Sequence, residues 1–183
     1  MPENLFGLPT HILLLHLVVV VLPMAALATV AVALSARFRH RWGLLVVGCT
    51  FVVSLFVPLT SQAGESLAAR LPDAPQIARH ADIGQQLVIW TAVFGVCLAG
   101  LVLVDLARRV SSPVDVLTPA ESWASRFATP GWRESPPGWA DGAFRVLQIL
   151  ALLAAFGVVV MVIRAGHSGA QAVWTNYPHL RSA

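Results

Sequence analysis

Four stretches of the chain lose the mixing of apolar and polar positions that a soluble fold needs: residues 10–34, 44–60, 87–107 and 146–163. From residue 12 to residue 34 His16 is the one strongly polar side chain, and none is charged. Each stretch approaches the ~20 residues that carry a helix across a ~30 Å hydrocarbon layer. Transmembrane strands would alternate over shorter segments, and no such alternation is present. The pattern predicts an all-α integral membrane four-helix bundle, with residues 1–183 as a single membrane domain. Pro23 is expected to kink the first helix and Pro58 to bend or stop the second.

Composition strengthens this reading. The chain is 57% hydrophobic and 11% charged, with a mean hydropathy of +0.73, well outside the soluble norm. Its net charge of +3 comes wholly from arginine, since lysine is absent. These arginines lie in the connections and form no basic stripe, which argues against nucleic acid as a partner. Cys49 and Cys97 sit inside apolar runs and are expected to be buried free thiols rather than a disulfide or zinc framework. The first ten residues carry Glu3 and no cation, and the apolar run exceeds the ~7–15 residues of a signal sequence. A retained first helix is expected.

Arginine also orients the bundle. Arg37, Arg39, Arg41, Arg108, Arg109, Arg126, Arg133 and Arg145 fall in the first and third connections, against Arg70, Arg79, Arg164 and Arg181 on the other side. Positive charge favours the cytoplasm, so residues 108–145 are expected as a cytoplasmic loop and both termini as extracytoplasmic. Within that loop Thr118, Pro119 and Glu121 have capping-box spacing, and a short interfacial helix could lay down Trp123 and Phe127. Trp132 and Trp139 read as interfacial anchors. Small residues, among them Ala25, Ala26, Gly95, Ala99, Ala151 and Ala155, predict close helix approach.

This topology brings His11, His16, His80, His167 and Glu65 to the outer level of the four helices. An intramembrane imidazole with neither hydrogen bond nor ligand is costly, so histidines at helix ends are candidate sites. His11 and His16 are five apart and differ by about 140° around the axis, so an undistorted helix cannot aim both at one centre. Gly84, one turn after His80, would leave room beside that ring, and Gly166 and Gly169 would let the chain turn after the fourth helix. Gln62 and Glu65 would share a face if the second helix continues outward.

Imidazole and carboxylate suit metal or haem ligation. His16, His80 and His167 are the candidate ligands of a b-type haem. His11, Glu65, His80 and His167 are the candidate ligands of a transition metal ion as the alternative. Electron transfer or redox sensing with a membrane redox partner would follow. The competing reading is a cofactor-free accessory or scaffold subunit whose histidines and Glu65 form a hydrogen-bonded network. Gly166-His167-Ser168-Gly169 lacks the spacing of a nucleophile elbow, and there is no HExxH or glycine-rich phosphate loop. Asp105 lies at the inner end of the third helix, where Arg108 or Arg109 can neutralise it, so proton relay or secondary transport is poorly supported.

Leu8-Pro9-Thr10-His11 with His16 and Pro23, Gln62-Ala63-Gly64-Glu65, His80-Ala81-Asp82-Ile83-Gly84 and Gly166-His167-Ser168-Gly169 resemble the small bacterial membrane proteins of the domain of unknown function 2231 family. The resemblance runs from about Leu8 to Trp174. Members usually show His-Pro where this chain has His11-Ile12, and Phe-Pro where it has Leu17-Val18. The resemblance implies four transmembrane helices, histidines at these stations and a multi-pass place in the bacterial plasma membrane. It implies no activity.

Overall fold

The computed structural model describes residues 4–5, 8–110 and 138–176. A two-stranded antiparallel ladder, β1 (Asn4–Leu5) with β2 (Leu8–Pro9), precedes α1 (Thr10–Leu34). Then come α2 (Ala36–Ala68), α3 (Pro75–Val110) and α4 (Ala140–Asn176). All four helices are long and apolar enough to cross a membrane. The membrane part is thus all-helical, and the protein is a multi-pass membrane protein. The expected short helix around Trp123 and Phe127, and Trp132, lie outside the described residues.

The helices run antiparallel in a ring in which α1 packs on α2 and α4, and α3 packs on the same two. The seam has a regular spacing. On α2 the buried positions are Arg39, Gly43, Val46, Thr50, Val53, Val57 and Thr60, alternating steps of four and three. Ala151, Ala154, Val158, Met161, Ala165 and Ser168 repeat it on α4, as do Leu87, Thr91, Phe94, Leu98, Leu101 and Asp105 on α3. Steps averaging 3.5 residues keep one stripe facing its neighbours in slightly supercoiled, near-antiparallel helices. The opposite faces carry Leu27, Phe51, Val96 and Phe156, each more than 60% exposed, as helices surrounded by lipid would. Outside and inside are equally apolar, so small residues mark the interfaces. A methyl group on Gly157 of α4 would fall within 2.8 Å of Cε3 of Trp90 on α3, so the glycine admits that ring.

The polar connections are shorter than the apolar pattern suggests. Only Ser35 separates α1 from α2; its Oγ accepts from the Phe38 amide at 3.3 Å and caps the new helix. Arg37, Arg39 and Arg41 are therefore helical. At the other end α2 continues to Ala68 and α3 starts at Pro75, whose missing N–H costs nothing in a first turn. Neither Pro23 nor Pro58 ends its helix. Gly166 and Gly169 lie inside α4 rather than in a turn, because the helix runs on to Asn176. Cys49 is exposed on the lipid-facing side of α2 and not buried, since the inward stripe there takes Val46, Thr50 and Val53. Cys97 is half-buried, and both thiols are free.

At the end opposite the termini, Arg39 is 8% exposed and stands 3.0 Å from Oδ1 of Asp105 on α3, itself 5% exposed. Its Nη1 donates to the carbonyls of Val32 at 2.9 Å and Ala33 at 3.3 Å, which end α1 without helical partners. Its guanidinium also lies 4.7 Å from the ring centre of Phe144 on α4. Arg109 donates through Nε to the second oxygen of Asp105 at 3.0 Å, as the sequence suggested; Arg108 instead pairs with Asp141. Asp105→Leu would strand Arg39 and is expected to cost about 3–5 kcal/mol. Adding Arg39→Met should recover much of that loss in thermal unfolding of the detergent-solubilised protein.

Candidate functional site

At the end carrying both termini, two imidazoles meet across the bundle. His11, in the first turn of α1, and His80, near the start of α3, have ring centres 6.4 Å apart with planes crossing at 83°. Each ring is tied sideways to a different neighbour. Nδ1 of His11 donates to the carbonyl of Thr60 on α2 at 2.8 Å. Nδ1 of His80 lies 3.0 Å from Oγ of Ser168 on α4. The Ser168 hydroxyl donates to the Ala165 carbonyl at 3.0 Å, so its oxygen accepts from His80. These hydrogen bonds engage the Nδ1 atom of each ring. Nδ1 is thus the anchored nitrogen of each ring, and Nε2 is the nitrogen that a ligand would use.

Glycine makes room for both rings. A Cβ on Gly64 of α2 would lie 2.9 Å from Nδ1 and Cε1 of His11, and one on Gly169 of α4 would lie 3.1 Å from Cε1 of His80. In both cases Nε2 is the more distant ring nitrogen, at 3.6 and 3.7 Å. Each imidazole is thus seated in a notch of one helix and hydrogen-bonded there, and the two rings stand in a T-shaped arrangement. All four helices contribute.

The structure separates the other candidates from this pair. His16 is exposed, and its Nδ1 donates back to the Ile12 carbonyl of its own helix at 2.6 Å. Its angular distance from His11 already required that one of the two face away. His167 is exposed as well, one residue from the buried Ser168. Glu65 is exposed and accepts from Nε2 of Gln85 at 2.8 Å, linking α2 to α3 beside the pair. Gly84 stands near Ser61, whose hydroxyl donates to its carbonyl at 3.4 Å, and not beside His80. Among the described residues no three His, Cys, Asp or Glu side chains converge as a metal site.

Thr60, Gly64, Ser168 and Gly169 were not evident as site residues from their types. Register would have found most of them. Continuing the four-three steps outward from Val53 and Val57 reaches residues 60 and 64, and from Met161 and Ala165 reaches 168. His167 drew notice by its chemistry, while the inward position beside it belongs to a serine.

Ser168→Ala would leave His80 without its acceptor, at an expected cost of about 1 kcal/mol, whereas His167→Ala should stay within about 0.5 kcal/mol. Thermal unfolding of the two variants in one detergent checks that order.

A family model described as predicted membrane protein (DUF2231) matches residues 7–180. No curated protein and no solved structure matches the chain.

Proposed function

The chain belongs to the DUF2231 family of predicted membrane proteins, and from that premise we propose that it is an electron-transfer protein holding a b-type haem between His11 and His80. The observation that carries this reading is the 6.4 Å separation of the two ring centres. Two imidazoles this close on facing helices would serve as the pair of protein ligands that a b-type haem asks for. The Nδ1 bonds to Thr60 and Ser168 are the anchors that ligating histidines use to fix tautomer and ring orientation.

The number of ligands favours haem over a bare ion. A porphyrin brings four nitrogens of its own and asks two of the protein, whereas zinc or copper held by protein alone takes three or four. Two histidines converge here, with no third ligand among the described residues. A haem so held supplies reversible one-electron chemistry. The protein contributes the low-dielectric helix packing and the two fixed imidazoles that set its potential. By the arginine distribution, the Arg39 end faces the cytoplasm and the histidine pair lies near the outer face of the plasma membrane. A membrane redox partner would complete the circuit.

The same hydrogen bonds favour a second reading. His11 to Thr60, His80 to Ser168 and Gln85 to Glu65 join the four helices, as a cofactor-free accessory or scaffold subunit would require. A reduced-minus-oxidised absorption spectrum of the purified protein separates the two. The haem reading expects a sharp α-band that vanishes in His11→Ala and in His80→Ala and persists in His16→Ala and His167→Ala. A folded protein with a flat spectrum, produced with haem supplied, overturns it in favour of the scaffold.

A further inference from the structure

Between α2 and α3 lies an open surface groove of about 550 Å³. Its inner part is Pro58, Val88 and Ile89, level with the start of the apolar run of α3. Its outer part is Gln62, Glu65, Asp82, Gln85 and Gln86. An occupant must therefore be an amphiphile that reaches the groove from the bilayer, its tail against the apolar floor and its head among amides and carboxylates.

The chemistry of that head follows from the lining. No arginine or histidine lines the groove, while two carboxylates do, so phosphate and carboxylate head groups meet like charge. An ionised carboxylate accepts hydrogen bonds and donates none, whereas amide side chains do both; Gln85 already donates to Glu65, which leaves Gln62 and Gln86 to donate to an occupant. A ring bearing hydroxyl groups satisfies both sets: its O–H groups donate to Glu65 and Asp82, and its oxygens accept from the glutamine amides. We propose that the groove binds a membrane-dissolved quinol, an inference whose physiological sense rests on the electron-transfer reading above.

The placement suits that role. Glu65 follows Gly64, the glycine on which His11 rests, and Ser61 of the groove follows Thr60, which accepts from His11. The quinol head is then about one helix diameter, ~10 Å, from the imidazole pair. Oxidation of one quinol to the quinone would release two electrons and two protons; a haem held by His11 and His80 would take the electrons one at a time, with the membrane redox partner as their final acceptor. The two hydroxyl protons leave through Glu65, Asp82 and outer water.

Binding can be measured without any haem. The full chain and its His11→Ala, His80→Ala double variant would be placed in lipid nanodiscs and titrated with decylubiquinol under anaerobic conditions. Saturable binding of equal strength is expected in both. At least tenfold weakening is expected in Asp82→Asn with Gln85→Ala, and again in Ile89→Trp, which fills the apolar floor. All three positions are exposed, and an unchanged unfolding temperature certifies the fold of each variant. Absence of saturable binding, unweakened binding in both groove variants, or displacement of the probe by dodecyltrimethylammonium, which would mark a site for cations, each overturns the proposal. A missing haem band with quinol binding intact removes the iron alone; an intact band without quinol binding removes the groove alone.

Discussion

A buried guanidinium is costly unless its charge is paired, and Arg39 is paired while engaging four helices at once, its Nε facing Asp105 as an ion pair without a hydrogen bond. It meets Asp105 of α3, the closing carbonyls of α1 and the face of Phe144 on α4, while belonging to α2. Because Arg39 takes the carbonyls that α1 leaves open, and Gln148 of α4 adds a 2.7 Å bond to Ala33, the chain can reverse through Ser35 alone. The tight reversal sets the register of α1 on α2, and Asp105 transmits it to α3. In surroundings without water this ion pair fixes alignment more than it adds stability, since desolvation offsets much of the attraction.

The opposite end is built on imidazole hydrogen bonds rather than on a buried ion pair. His11 and His80 each reach across to a neighbouring helix, and each fits because that neighbour offers a glycine. Between the two polar ends the contact is a stripe of alanine, valine and leucine with Thr29, Thr50 and Thr91 fully buried. Thr29 and Thr91 donate back to carbonyls of their own helices, so they satisfy themselves without specifying a partner. Alignment is therefore decided at the ends, and the middle supplies close van der Waals packing. A site placed at one such end inherits its geometry from the same bonds that align the helices.

Much of this could be read from the chain. Unbroken apolar runs announce membrane helices because a bilayer leaves the backbone few other ways to satisfy its hydrogen bonds. The histidine stations and the need for His11 and His16 to diverge also followed from residue type and helical angle. Less legible were the positions where apolarity carries no contrast. On α1 and α4 the lipid-facing and inward sides are equally hydrophobic, so polarity does not say whether His167 or Ser168 points inward. Arg39 was hidden for another reason: three arginines in eight residues look like a cytoplasmic loop, and one of them is in fact buried in the bundle.

The sequence by itself determined the number of membrane helices and the fold class, which depend on local composition and length, and the family, which short motifs carry. Tertiary structure alone decided which two of the outer histidines meet. It also decided that Thr60 and Ser168 orient them and that Gly64 and Gly169 admit them. These are contacts between residues about fifty to ninety positions apart in the chain. Their geometry depends on the rotation of each helix about its axis, and that rotation is set by packing in the assembled bundle and by its buried ion pair.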